Sequence, residues 1–171
     1  MRKQKQIGTD LEALMDTLEN KDGAIRQKAR KSLVALGKPA VPTLSRSLQD
    51  SKLDHVRWEA VKTLGAIDDS RAISSLVKAL EDSDPDVAWS AAEALQRFRS
   101  AAWQPLLRAL INRGTDSVLL RQGAHHVLRN QKEPGFTVLL ANLVKAIEFG
   151  TVPESTSVAA YEILKRMKAN R

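Results

Sequence analysis

A nine-residue phrase recurs along this chain and limits what the chain can fold into. Ile25-Arg26-x-x-Ala29-x-x-x-Leu33 returns as Val56-Arg57-x-x-Ala60-x-x-x-Leu64. It returns again as Val87-Ala88-x-x-Ala91-x-x-x-Leu95 and as Leu120-Arg121-x-x-Ala124-x-x-x-Leu128. A worn copy, Thr156-Ser157-x-x-Ala160-x-x-x-Leu164, follows. The steps between copies are 31, 31, 33 and 36 residues, a period that marks stacked repeats. A unit of this size cannot bury its own apolar face, so neighbours must stack and leave a long open surface.

Each phrase is preceded by a second apolar pattern with 3/4 spacing: Leu11, Leu14, Leu18; Val41, Leu44, Leu48; Ile73, Leu76, Leu80; Trp103, Leu106, Leu110; Leu140, Leu143, Ile147. That is the period of an amphipathic helix. The chain therefore predicts a first and a second helix, alternating five times, over 9–20, 22–37, 39–49, 52–67, 69–81, 84–98, 100–112, 117–130, 135–148 and 154–169. Asp22, Asp84 and Ser117 stand where a side-chain oxygen can cap a second helix, and Asp84-Pro85 is a helix start. Ser51-x-x-Asp54 resembles a capping box. No segment shows strand alternation, and the longest irregular link is expected at 149–153. Residues 1–8 are expected to be a disordered basic N-terminus. Residues 9–171 are expected to be one repeat domain, with units near 9–37, 38–68, 69–98, 99–131 and 132–171.

Charge is uneven along the chain. Residues 1–40 carry nine basic and five acidic side chains, 41–98 seven and ten, and 99–171 eleven and five. Basic ends can meet phosphates or an acidic partner. The chain has no cysteine, which excludes disulfides, thiolate metal sites and cysteine nucleophiles. No apolar run approaches the roughly 20 residues of a membrane span, and the basic start is not followed by the apolar stretch of a signal peptide. A cytoplasmic protein is expected.

The segment from Val56 to Val87, VRWEAVKTLGAIDDSRAISSLVKALEDSDPDV, resembles the HEAT repeat, in particular the short bacterial form also found in phycobilisome lyase subunits. The marks are the Val-Arg pair, the Ala four residues after Val, the Leu four later, Gly65, Asp68, and the acidic start at Asp82 to Asp86. The resemblance covers about residues 9–168 and weakens in the fourth and fifth copies. It implies an all-α, right-handed α-solenoid of about five HEAT-like hairpins. Fold alone does not choose a function: similar repeats serve as scaffolds, lyase subunits, metal-dependent hydroxylases and DNA-repair glycosylases.

At about 100° per residue, Val56, Ala60, Thr63, Leu64 and Ile67 share the core side of their helix, and Trp58, Lys62 and Gly65 the opposite side. In a HEAT-like stack the latter side lines the concave surface. The same offsets give Gln27, Lys31 and Val34; Trp89, Glu93 and Gln96; Gln122, His126 and Arg129; and Val158, Glu162 and Lys165. The partner-binding set read from the sequence is therefore Trp58, Trp89, Gln27, Lys31, Lys62, Glu93, Gln122, His126 and Arg129. Only seven residues are aromatic and three of these are Trp, so two at one repeat position are informative. Trp58 and Trp89 are expected to be neighbours, either as an exposed interaction pair or as local packing. Trp103 falls on an apolar stripe and belongs to the core. Arg26, Arg57 and Arg121 recur on the helix flank, where an inter-repeat ladder to Asp54, Asp84 or Asp86 is expected.

Catalytic signals are weak. The hydroxylase relatives are similar to one another in repeated His-Glu pairs, and here none of His55, His125 and His126 is followed by Glu. Adjacent His125 and His126 diverge by about 100°, so no metal site is expected. Asp68-Asp69 stands between helices, where carboxylates act as caps. There is no phosphate-binding glycine loop and no serine nucleophile elbow. The leading expectation is a non-catalytic, monomeric scaffold without cofactor, gripping a protein or peptide on its concave face. The alternatives are a nucleic-acid-binding protein resembling the HEAT-like alkylpurine glycosylases, and a bilin lyase-type subunit.

Overall fold

The computed structural model describes residues 2–149 and 153–169. Among these described residues ten α-helices follow in order: α1 (Arg2–Thr17), α2 (Gly23–Leu36), α3 (Val41–Asp50), α4 (Asp54–Ile67), α5 (Ile73–Ala79), α6 (Pro85–Arg97), α7 (Trp103–Arg113), α8 (Val118–Leu128), α9 (Thr137–Phe149) and α10 (Pro153–Ala169). No strand occurs among the described residues. Short 3-10 turns at Lys38–Ala40, Ser70–Ala72 and Arg99–Ala102 lead into α3, α5 and α7. Segment 1–8, expected to be disordered, is helical from Arg2 onward.

The hairpins stack into an α-solenoid. Second helices α2, α4, α6 and α8 pack in one row, and first helices α3, α5 and α7 in another. The core runs between the rows. Phrase residues Ala29, Leu33, Val56, Ala60, Leu64, Val87, Ala91, Leu95, Leu120, Ala124 and Leu128 are all buried there, as are Leu44, Leu76 and Leu106 from the first helices. At Gly65 the neighbouring second helices α4 and α6 approach closely: an added Cβ would lie 2.9 Å from the Cβ of Ala94.

Helix ends follow local chemistry. Asp22 accepts from the Ala24 N–H, Asp84 from those of Asp86 and Val87, and Ser117 from that of Leu120, the free donors of a first turn. The capping box at Ser51 does not form. Ser51 Oγ accepts from the Leu53 N–H at 3.2 Å, and Leu53 is the residue that precedes α4, so Ser51 sits too early to cap. Asp68 ends α4 in the left-handed region at φ 55°. Asp69 accepts from the N–H of Arg71 and caps the following turn.

The fifth hairpin departs from the expected pattern. A regular fifth unit would place α9 on α7 and α10 on α8. Instead α9 packs on α8, and α10 packs on α7. His125 Nε2 lies 2.9 Å from Glu148 Oε1, joining α8 to the end of α9. Ser157 Oγ donates to the Leu110 carbonyl at 3.3 Å, joining α10 to α7. The layers are thus exchanged, and Val158, Glu162 and Lys165 leave the second-helix row. The link from Arg129 to Phe136 makes the crossing possible. It is longer than the expected 149–153 link, of which 150–152 lie outside the described residues. Phe136 anchors it edge-on to buried Trp103, ring centroids 5.5 Å apart at 70°.

Candidate functional site

The open side of the second-helix row carries the residues singled out above. Trp89 is 54% exposed, among the largest apolar groups facing solvent. Its indole rests on the imidazole of His126, with centroids 4.0 Å apart and planes tilted by 48°. His126 is itself buried, and its carbonyl accepts from Gln96 Nε2. Burial pushes the His126 imidazole below its ordinary pKa, Arg129 adds to this, and Glu93 opposes it. The ring is therefore neutral at neutral pH and forms a flat, uncharged platform under Trp89.

Trp58 is placed differently. It is half-buried and packs on the core. The Arg30 guanidinium lies 5.4 Å and the Lys62 ammonium 5.6 Å from its ring centre, within the range of cation–π attraction. Among the described residues the aromatic ring pairs are Trp89 with His126 and Trp103 with Phe136. The two indoles at equivalent positions thus turn apart: Trp58 toward the preceding repeat, Trp89 toward the following one. Between them Lys62 Nζ lies 3.8 Å from Glu93 Oε2. Gln27, Lys31, Gln122 and Arg129 are exposed. A shallow cavity of about 250 Å³ opens between α4 and α6, lined by Lys62, Gly65, Glu93 and Arg97 among others.

The flank arginines serve mainly their own hairpins. Arg26 Nη1 donates to the carbonyls of Asn20 at 2.8 Å and Lys21 at 3.0 Å. Arg57 donates to Ser51 at 3.1 Å, and Arg121 to Gly114 and Thr115. Each ties down the turn before its helix, where carbonyls lack helical partners. Two also cross to the next repeat: Arg57 grips Asp82 with two 2.8 Å bonds, and Arg26 Nε lies 3.4 Å from Glu59. The expected partners Asp54, Asp84 and Asp86 are replaced by Asp82, which precedes α6 and faces the end of the Arg57 side chain. Among the described residues Arg121 faces no such acid; in that repeat Arg113 reaches back to Glu81 instead.

Sequence reasoning missed Glu59. Its carboxylate is nearly fully buried between α2 and α4, and it accepts from Arg30 Nη1 at 2.7 Å as well as facing Arg26. The available signal was the Arg26/Arg30 pair one turn apart on the preceding phrase. The Asp68-Asp69 pair resolves into two caps. Arg71 hydrogen bonds hold the Asp69 carboxyl at about 2. Among the described residues no three His, Asp or Glu converge as a metal site would require.

Stacked hairpins built on a repeated Val-Arg-x-x-Ala-x-x-x-Leu helix are the decisive feature, and a family model described as HEAT repeats matches residues 11–95, 51–129 and 73–148. The chain belongs to the HEAT-repeat family. Compared with curated proteins, it matches none. The family matches to this HEAT-repeat protein stop at residue 148, before α10, where the order of the layers has already reversed. No helix among the described residues is long and apolar enough to cross a membrane.

Proposed function

We propose that this HEAT-repeat protein is a non-catalytic adaptor that holds a protein or peptide along the open face of its second-helix row. The observation that carries the reading is Trp89: an indole more than half exposed, fixed from below by a buried, neutral imidazole. A large, rigid, amphipathic anchor contributes contact area at low entropy cost, which is why Trp dominates interface hot spots. Around it Lys62, Glu93, Gln122 and Arg129 supply a polar rim, with Gln27 and Lys31 farther along the row. Trp58 belongs to the scaffold of the face, since Arg30 and Lys62 already occupy its surroundings.

Affinity capture with the wild type, Trp89→Ala and a first-helix control, Arg46→Ala, tests the reading. Partners retained by wild type and control, and lost with Trp89→Ala, support it. Equal recovery by all three contradicts it. Capture of nucleic acid that depends on Trp89 and weakens steeply with salt would replace it with the nucleic-acid alternative.

A further inference from the structure

The layer exchange leaves a second apolar surface, remote from Trp89. On α10 the residues Glu154, Val158, Tyr161 and Lys165 fall within about 60° of one another at 100° per residue. All four are exposed, Val158 at 62% and Tyr161 at 58%. They lie opposite the buried side of the helix, Thr156, Ala160 and Ile163. Beside the stripe a groove of about 600 Å³ runs between α9 and α10, lined by Leu139, Ala146, Val158 and Ala159 with Glu154 and Glu162 at its edge. Val138, 72% exposed, stands at the start of α9. Val158 belongs to both stripe and groove, and an exposed apolar surface of this kind marks an interaction site.

Order along the stripe identifies the occupant. It reads acidic, apolar, aromatic, basic, with Glu154 and Lys165 about 16 Å apart. Neither has an ion pair among the described residues. Reversing the stripe and laying it on itself brings Glu154 against Lys165 twice and Val158 against Tyr161 twice. A surface complementary to its own two-fold image is what a symmetric homodimer requires. We infer that α10 is a homodimerisation helix, packing antiparallel on α10 of a second copy with the two-fold axis between Val158 and Tyr161. Tyr161 of each copy then meets the apolar groove mouth of the other. The expected monomer is replaced by a dimer whose two Trp89 faces remain free.

Sedimentation velocity from about 1 µM to about 100 µM tests this. Wild type is expected to shift from monomer to dimer mass as concentration rises, and Tyr161→Asp to stay monomeric, with the same melting curve as wild type at the lowest concentration, where both are monomers. Glu154→Lys and Lys165→Glu, each alone, place like charges opposite one another and should weaken the dimer at least about tenfold. Their equimolar mixture restores both pairs and should form a heterodimer close to wild-type affinity. A wild type that remains monomeric throughout, or a dimer indifferent to Tyr161→Asp, overturns the inference. So does a mixture of the two charge variants that associates no better than either alone.

Discussion

The His126 imidazole lies 4.0 Å from the Trp89 indole and joins the second helices of two successive repeats, α6 and α8. One partner is buried and the other faces solvent. The contact therefore passes the rigidity of the core to a side chain at the surface. An exposed Trp on a mobile stem would lose rotamer freedom on binding, whereas this one is already oriented.

The same contact makes stability depend on pH. His126 has a pKa lowered below 6.5 in the fold, chiefly by burial. Above the unfolded value neither state carries the proton, and the full stability is present. As pH falls through about 6.5, the unfolded chain binds a proton that the folded chain refuses, so stability drops until the folded pKa is passed. Denaturant unfolding at about pH 8 and about pH 5 should show a larger loss in wild type than in His126→Phe. Equal losses would mean that the ring is not protected from protonation.

Glu59 holds two arginines of the preceding repeat and is nearly without solvent contact. Glu59→Ala leaves both guanidinium groups without their carboxylate in a partly dry site. The arginines keep some water contact, so the expected cost is about 3 kcal/mol, the low end for breaking a buried pair. Glu59→Gln keeps the shape and an acceptor and should lose less. Urea denaturation reads both; a cost below about 0.5 kcal/mol would place the pair among ordinary surface contacts.

Arg57 grips Asp82 through Nε and Nη2 and the Ser51 carbonyl through Nη1. A lysine has the charge but not the planar fork. Arg57→Lys should therefore destabilise by about 1–2 kcal/mol despite conserving charge. Thermal melting that places Arg57→Lys level with wild type would show that the bidentate geometry contributes nothing.

Gly65 is required by its neighbour. Because an added Cβ would come within 2.9 Å of Ala94 Cβ, Gly65→Ala should push α4 from α6 and cost about 1 kcal/mol, the overpacking penalty exceeding the gain in helix propensity. Adding Ala94→Gly removes the clash, so the penalty of Gly65→Ala should vanish in that background. A double-mutant cycle with no coupling between the two positions would rule out the close approach.

Much of the fold was legible because its core residues repeat. Val56, Ala60 and Leu64, with their equivalents, specify an apolar stripe wherever they recur, and stacking follows. The exchange of α9 and α10 was not legible from that pattern. Both helices of a hairpin are amphipathic with the same spacing, and Thr156 and Ala160 are buried although α10 packs on the first-helix row. The one trace was the longer step, 36 residues, into the last copy. The site was legible only by position. The offset from Val87 marked Trp89, but the equivalent Trp58 is half-buried because Arg30 and Lys62 close over it. Glu59 escaped notice because its position reads Lys28, Glu59, Ser90 and Gly123 across the repeats. No periodicity announces a residue that serves only one interface.

Whether Trp89 anchors a protein-binding face is decided by calorimetric titration of a captured partner against wild type and Trp89→Ala. With the fold of the variant verified by its unfolding curve, Trp89→Ala is expected to bind at least about thirtyfold more weakly, the size of an interface hot spot. Affinities equal within about twofold would contradict it.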